Sequence, residues 1–339
     1  MPSSVTRRAL LCGAGGGLAA AAILHRPAHA AEFSYKFASV LPPDHPMMLR
    51  CSEAIAKIKD QSGGRFEITL YPNSALGADT SMLAQCVTGA VEMYALQGDL
   101  LAPRVPAAGI VGVGFAFPSY KEVWPAIDGE LGDFVRAQAE KSNMICLKRA
   151  WDHGFREITS RNKPIKSPAD LKGFKIRLPV APYLISLFRH LGAAPTAINF
   201  NEVYSALQTG IVDGQENPLV LIDTAKLFEV QKYCSLTNHV WAGFHTSFNV
   251  AAWKKLPPDL QEICHRTFSA VAITQRQAFV TMTNNEQQNL TTKGLTFNAT
   301  DSKPFREVLA KTGFYPDMKK LAGDKPWALL EKYVGPLTS

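Results

Sequence analysis

The chain has 339 residues, 36 lysines and arginines against 29 acids, and a formal net charge of +7. This length gives room for two domains with ample cores. The basic residues are scattered and do not form the aromatic-laced stripe of a nucleic-acid-binding protein, so no nucleic-acid partner is expected. After the first thirty residues, no run of apolar residues is long enough to predict a membrane span.

The first thirty residues have the composition of an export signal. Arg7 and Arg8 give a basic start, residues 13–24 form a weakly apolar, glycine-rich run, and Ala28-His29-Ala30 is a small-x-small cleavage site. The twin arginine favours Tat export of the folded protein, with the general secretory route as the alternative. We predict a mature chain that begins at Ala31 and lies in the periplasm. Cleavage leaves 33 basic residues against 29 acids, a net charge of +4.

The first part of the mature chain has the pattern of an α/β domain. Residues 35–40 and 65–71 alternate as strands do, and residues 47–62 between them have helical spacing of apolar side chains. Further predicted elements are a helix at 79–88, a strand at 90–96, helical material at 122–141 and a strand at 144–151. Short strands that alternate with helices build a parallel sheet.

A second unit of the same kind is predicted after residue 152. Residues 174–178 alternate as a strand, and a helix follows from Pro182 to Leu191. A second helix covers 202–209, with Asn201 as its N-cap. A last strand starts at Ile211 and is cut short by Gly214 and Pro218. The order is therefore β-α-β-α-β.

Arg177 and Asn217 fall near the carboxyl ends of strands in this unit. Open α/β sheets bind ligands at that edge. A guanidinium group can bind both oxygens of a carboxylate at once, so an arginine beside an amide suits an organic anion. The alternative is a structural surface arginine next to a turn asparagine.

The rest of the chain is predicted to return to the first domain and to cross both. Residues 241–253 form a returning strand, and a helix starts at Pro257-Pro258-Asp259. Its apolar face runs from Leu260 to Met282, with an extension to Leu290 left open, and at 1.5 Å per residue the helix would be roughly 45 Å long.

Four segments in this order resemble the DctP-type solute receptors of tripartite ATP-independent periplasmic (TRAP) transporters: residues 171–179, 191–196, 200–210 and 212–218. The resemblance implies a two-domain α/β fold like that of periplasmic binding proteins, with a ligand cleft between the domains and a long helix spanning both. The implied division is a signal over 1–30, domain I over 31–152 and 243–283, and domain II over 153–242 and 284–339.

The resemblance also implies a function. The protein would capture an organic acid, close by hinge motion, and deliver the acid to the small and large integral membrane subunits for ion-gradient-driven uptake. A monomer is expected. An ABC-type or sensor-linked binding protein is the alternative. An exported enzyme is less favoured, because no Gly-x-Ser-x-Gly, paired-carboxylate or cysteine–histidine motif occurs.

Within the resemblance, three residues are expected to bind the solute's polar head. Arg177 would form the main salt bridge to the carboxylate, Arg156 would be a second basic ligand, and Asn217 would supply an amide contact. The alternative for Arg156 is an ion pair with Glu157 or another acid. The alternative for Asn217 is a turn residue before proline.

Other candidates would contact the body of the solute. Phe200 would stack on it, with a core position as the alternative, and Gln97 would be a polar contact from the first domain. His153, Trp241 and Phe244 are candidate specificity residues, with core or hinge packing as the alternative for the aromatics. C4-dicarboxylates, aromatic carboxylates, sugar acids and hydroxy acids all remain open.

Neither a metal nor a cofactor is expected, since no histidine group has metal-ligand spacing and no HExxH occurs. Five cysteines follow the predicted signal, and three of them, Cys51, Cys86 and Cys264, fall on apolar helix faces. We expect buried free thiols, with a disulfide as the alternative.

Overall fold

A computed structural model describes residues 31–337, and the predicted export signal lies outside them. The strands are β1 Phe33–Ala38, β2 Phe66–Tyr71, β3 Met93–Gln97, β4 Met144–Cys146, β5 Trp151–Phe155, β6 Glu157–Ser160, β7 Lys175–Leu178, β8 Ala194–Ala197, β9 Gly214–Asn217, β10 Tyr233–Leu236, β11 Trp241–Asn249 and β12 Thr296–Ala299.

The α-helices are α1 Pro46–Gln61, α2 Asp79–Thr88, α3 Tyr120–Asp128, α4 Glu130–Lys141, α5 Pro182–His190, α6 Val203–Thr209, α7 Leu219–Thr224, α8 Val250–Lys255, α9 Pro258–Thr292, α10 Ser302–Thr312, α11 Phe314–Ala322 and α12 Asp324–Val334. Short 3-10 helices cover Gly98–Leu101, Pro106–Gly112, Pro168–Leu171, Phe200–Glu202 and Leu227–Glu229.

Two six-stranded mixed sheets organise these elements. The first sheet has the order β2-β1-β3-β11-β4, with β5 also paired to β11, and the second has the order β12-β10-β6-β9-β7-β8. The strands β1, β2 and β3 are parallel, whereas β11 runs antiparallel to its neighbours. β5 belongs to the first sheet and β6 follows at once in the second, so the chain crosses between the sheets there.

The predicted β-α-β-α-β unit is present as β7-α5-β8-α6-β9, with β7 parallel to both β8 and β9. Two of its details were wrong. The last strand begins at Gly214, because Gly210 ends α6 with φ +76° and leaves Ile211 in a turn, 63% exposed. Asn201 is not the N-cap, since it lies inside a 3-10 turn that leads directly into α6.

Two other predicted elements are each divided in two. The helical stretch at 122–141 is interrupted at Gly129, which separates α3 from α4. The strand predicted over 144–151 ends at Cys146, and β5 starts only at Trp151. Both breaks matter for the site, because β5 then continues to Phe155 and leads into Arg156.

The long helix α9 has 35 residues, which corresponds to about 52 Å. It packs against α1 and β5 at the first sheet and against α7 and β12 at the second. Leu260, Phe279 and Leu290 on the predicted face are buried, but Met282 is 39% exposed, so the prediction was wrong at that residue. None of the described helices is long and apolar enough to cross a membrane.

The predicted burial of Cys51, Cys86 and Cys264 is confirmed, because all three lie in the hydrophobic core that includes the first sheet. Within residues 31–337 all five cysteines are free thiols.

Candidate functional site

Arg177 lies on β7, next to the edge strand β8 of the second sheet, opposite Thr196 on one side and Gln215 on the other. It is 1% exposed, so the surface role considered for it is excluded. Its Nε donates to the carbonyl oxygen of Ile198 at 2.8 Å. Its Nη2 is buried and has no hydrogen-bond partner within residues 31–337. One arm of the guanidinium group is therefore directed to a position where no described side chain meets it.

Burial has a measurable electrostatic consequence for Arg177. Desolvation lowers its pKa to about 10, and the charge of Asp79 only partly offsets this effect. The Phe200 ring lies 5.8 Å from the guanidinium carbon, within range of a cation–π contact. An anion at Nη2 would stabilise the charged form that burial disfavours.

Asp79 joins the two sheets at this point. It is the first residue of α2, which leads into the first sheet, and its carboxylate accepts the backbone N–H of Phe200 at 3.1 and 3.3 Å. Phe200 follows β8 of the second sheet, so the contact crosses the boundary between the sheets. Thr80 adds a second crossing contact, with its Oγ1 3.3 Å from Oδ1 of Asn199.

Arg156 differs from Arg177 because its partners are supplied by the protein. Its Nε donates to Oε2 of Glu216, and its Nη2 donates to Oε1 of Glu216 at 2.8 Å. Nη2 also donates to the Glu216 carbonyl oxygen at 2.8 Å. The ion-pair alternative is therefore present, with Glu216 as the acid. Glu157 instead accepts the backbone N–H of Asn238 at 2.9 Å.

The ion pair of Arg156 and Glu216 also contacts His239. Nε2 of His239 lies 3.0 Å from Oε2 of Glu216, and its Nδ1 lies 2.8 Å from Oγ1 of Thr237. Burial by itself would raise the pKa of Glu216, but Arg156 outweighs burial and lowers it to about 2. Glu216 is therefore a carboxylate over the physiological pH range.

Asn217 is the last residue of β9 and is held on both sides of its amide. Oδ1 accepts from Nη2 of Arg156 at 3.0 Å, and Nδ2 donates to Oε1 of Gln215. These bonds go beyond a turn role, because they fix the orientation of the amide next to both arginine-bearing segments.

Three of the remaining candidates come together at the first sheet. Gln97 ends β3 and lies opposite Phe244 of β11, and Phe244 meets the ring of His153 edge-to-face at 5.0 Å. Nε2 of Gln97 donates to Oδ2 of Asp99 at 3.0 Å. The charge of Arg156 helps to lower the pKa of His153 and opposes the burial that raises the pKa of Asp99. This group therefore lies within electrostatic range of the arginine network.

Trp241 is placed in a different environment. Its Nε1 donates to Oδ1 of Asp152 at 3.0 Å, and its ring packs edge-to-face on Trp124 at 5.4 Å. Trp124 in turn stacks under the guanidinium group of Arg276 at 3.8 Å. These contacts match the hinge-packing alternative.

Sequence reasoning missed several residues of this site. Glu216, Asp79, Asp99, His45 and His239 were not assigned, although Glu216 stands inside a motif that was. The signal in the sequence is the polar run Gln-Glu-Asn next to a predicted strand. The structure shows that all four residues of β9 are buried, and buried strands seldom carry three consecutive polar side chains. In residues 31–337, no group of three or more histidines, cysteines and acids is arranged to hold a metal ion.

Comparison with known proteins then identifies the family. Residues 37–313 match the family model DctP, described as bacterial extracellular solute-binding protein, family 7. The chain belongs to this family. The solute-binding protein RD1_1052 of Roseobacter denitrificans is 30% identical over 294 residues, covering 86% of this chain and 90% of that protein. The uncharacterized protein y4mM of Sinorhizobium fredii is 33% identical over 265 residues, but the match spans only 49% of its length.

Solved structures give the same result for the DctP-family fold. A TRAP periplasmic solute-binding protein from Sulfurospirillum deleyianum with bound succinate has a TM-score of 0.84 at 25% identity, covering 89% of this chain and 99% of that one. The sugar acid binding protein DctPAm from Advenella mimigardefordensis, in complex with galactonate, has a TM-score of 0.84 at 25% identity and coverages of 88% and 96%. The predicted two-domain fold and the resemblance to TRAP receptors are confirmed. The family is one of receptors, not of enzymes.

Proposed function

We propose that this DctP-family receptor binds the carboxylate of an organic acid through Arg177 and delivers the acid, in the periplasm, to the small and large integral membrane subunits of a TRAP transporter. The observation that carries the proposal is the buried Nη2 of Arg177, which lacks a partner within residues 31–337. A buried arginine whose hydrogen bonds are incomplete is costly, and a carboxylate would complete them and supply the missing charge.

In this proposal Arg156 orients the site. Glu216 accepts hydrogen bonds from Nε and Nη2 of Arg156 and balances the arginine's charge. Arg156 in turn fixes the amide of Asn217 by a bond of 3.0 Å. A solute carboxylate would therefore be bound mainly by Arg177, with Asn217 as a neutral contact and Phe200 beside it.

Closure of the two domains on the solute has a structural basis in the contact between Asp79 and Phe200. Phe200, just after β8, makes both contacts: its ring lies beside Arg177, and its backbone N–H donates to Asp79. A ligand that positions this segment would thereby favour the contact with α2, as expected for hinge closure.

The proposal is tested by calorimetry with the mature protein. A melting-temperature screen first finds binders in a carboxylate library, since ligand at about 100 times its Kd should add about 2.7 kcal/mol of stability. Arg177→Met should then cost about 2 to 5 kcal/mol of binding, or about 30- to 5,000-fold in Kd. Arg161→Met, just after β6 of the same sheet, changes a side chain that donates to the Gln208 carbonyl and serves as the matched control.

Two results would overturn the proposal. One is a screen in which no carboxylate shifts the melting temperature. The other is a binder whose affinity is the same in Arg177→Met as in the Arg161→Met control.

A further inference from the structure

A bulge in β5 places His153 in an unusual position. In the pairing of β5 with β11, Asp152 lies opposite Gly243 and Gly154 lies opposite Ala242, so His153 has no opposite residue. Gly154 after it has φ +100°, a conformation that favours glycine. Bulges redirect a side chain, and the redirected imidazole is fully buried with both nitrogens unpartnered within residues 31–337.

His45 meets this imidazole from another part of the chain. The two ring centroids are 5.2 Å apart. His45 is the N-cap of α1, and its Nδ1 accepts the backbone N–H of Met47 at 3.2 Å. Burial lowers its pKa to about 3, so the ring is neutral and carries its proton on Nε2. That N–H donor is buried and has no partner among the described residues.

Asp99 supplies an acceptor on the same side, since the charge of Arg156 acts on both Asp99 and His153. Its Oδ2 is bound by Gln97, while its Oδ1 is buried and unpartnered within residues 31–337. Gln97 is opposite Phe244 in the sheet, and Phe244 contacts His153. We call His45, Asp99 and His153 the polar wall. Together they offer two N–H donors, one imidazole acceptor and one carboxyl acceptor.

The charges on this side do not suit a second carboxylate. Arg156 acts electrostatically on His153 and Asp99, but Glu216 already neutralises it. Arg177 also acts on Asp99, and in the proposed function the solute's single carboxylate already occupies Arg177. Asp99 would repel another anion if ionised. An aromatic or aliphatic body would also leave four buried polar atoms without partners, at a cost for each of them. Hydroxyl groups, which both donate and accept, match the mixed set.

We propose that the polar wall binds hydroxyl groups, and that the receptor therefore selects a polyhydroxylated monocarboxylate over a dicarboxylate or an unsubstituted acid. This inference rests on the proposed function, because Arg177 must hold the single carboxylate. It goes further because it assigns the hydrogen bonds to the solute's hydroxyl groups to His45, Asp99 and His153.

The first experiment uses the unmodified mature protein. Calorimetry compares four polyhydroxy acids (D-gluconate, D-galactonate, D-glucuronate and D-galacturonate) with hexanoate and succinate. The tightest polyhydroxy acid should bind at least about 100-fold more tightly than hexanoate and succinate, because a site built for hydrogen bonds rejects analogues that lack them. Succinate or hexanoate binding as tightly as the best polyhydroxy acid would overturn the inference while leaving the proposed function intact. Binding by none of the acids in the wider library would instead overturn the proposed function.

The second experiment assigns the selectivity to the wall. His153→Phe keeps the ring and its contact with Phe244 but removes both nitrogens, and should weaken the best polyhydroxy acid by at least about 10-fold while changing hexanoate less than about 2-fold. The matched control is His245→Phe, another buried histidine with an unpartnered Nδ1, whose charged neighbours are Arg136, Arg276 and Asp128. Equal losses for both acids, or none for either, would contradict the inference. If His153→Phe does not fold, Asp99→Leu, which removes the unpartnered Oδ1 at similar volume, takes its place with the same expected split.

Discussion

Arg156 and Arg177 are each 1% exposed, yet their surroundings are opposite. The Arg156 region is complete: Glu216 takes two guanidinium nitrogens, and His239 and Asn217 bind the outer atoms of the pair. The Arg177 region is incomplete, with one bond to a carbonyl and one unpartnered nitrogen in the described chain. Burial alone therefore does not identify a binding residue. What distinguishes the two arginines is whether the protein itself satisfies the buried charge.

The largest expected effect comes from breaking the complete region. Glu216→Gln leaves the Arg156 charge buried without its counter-ion and should lower the free energy of unfolding by about 3 to 5 kcal/mol. Arg177→Met removes a charge that has no complete partner set, so the stability of the unliganded protein should not fall. Urea unfolding measures both variants. If Arg177→Met is destabilised as much as Glu216→Gln, the distinction between the regions is wrong.

The pH dependence of stability gives a second comparison, between Glu216, which is paired with Arg156, and three other buried acids near the site. Burial raises the pKa of Asp99 and Asp152 to about 6 and that of Glu157 to about 8. These acids bind protons more readily in the folded state, so their contribution is fully present below their unfolded pKa and is lost as pH rises through the folded values. For Glu216, whose pKa is lowered to about 2, stability is present above the unfolded value and is lost as pH falls.

Four buried histidines act in the opposite direction. Burial lowers the pKa of His45 to about 3 and that of His245 to about 4, and it also lowers those of His153 and His239, so their contribution to stability is lost as pH falls below about 6.5. The sharper test is therefore a variant without the most strongly raised acid: relative to the unmodified protein, Glu157→Gln should gain about 1 to 3 kcal/mol of unfolding free energy between pH 5 and pH 8. Urea unfolding of both proteins over this range measures the difference, and a difference that does not change with pH would contradict the prediction.

The smallest expected effect on binding comes from the contact between Asp79 and the Phe200 N–H. Asp79→Ala removes the acceptor for the Phe200 N–H and should weaken solute binding by about 0.5 to 1.5 kcal/mol. Asp79→Asn keeps an acceptor oxygen and serves as the control, retaining more of the affinity. Calorimetry with the best acid from the panel measures both. Equal affinities in Asp79→Ala and the unmodified protein would show that this contact does not contribute to closure.

Much of the second sheet could be predicted from local sequence. The strand around Arg177, the helix from Pro182 and the helix ending at Gly210 follow from alternation, proline and glycine, and the structure contains all three. Predictions failed where neighbouring residues do not decide the conformation. The start of β9 depends on pairing with β6 and β7, and the place where β5 begins depends on pairing with β11.

The site divides in the same way. Arg177, Asn217 and the family resemblance were visible in a segment of fewer than fifty residues, because a strand end, a turn and a motif are local features. The partner of Arg156 was not visible, although Glu216 lies next to Asn217 in the chain. Only the antiparallel pairing of β6 with β9 brings Arg156 and Glu216 together across 60 residues.

Local sequence was enough to identify two α/β units, a strand in the second that carries Arg177 as a candidate carboxylate ligand, and a pattern typical of DctP receptors. The tertiary structure alone decided which arginine is neutralised and which is not. It also decided that the rings of His45 and His153, more than a hundred residues apart, lie 5.2 Å from each other. The physical reason is that hydrogen-bond satisfaction in a buried site depends on distant pairings and on a bulge in β5, which periodicity and motif spacing do not encode.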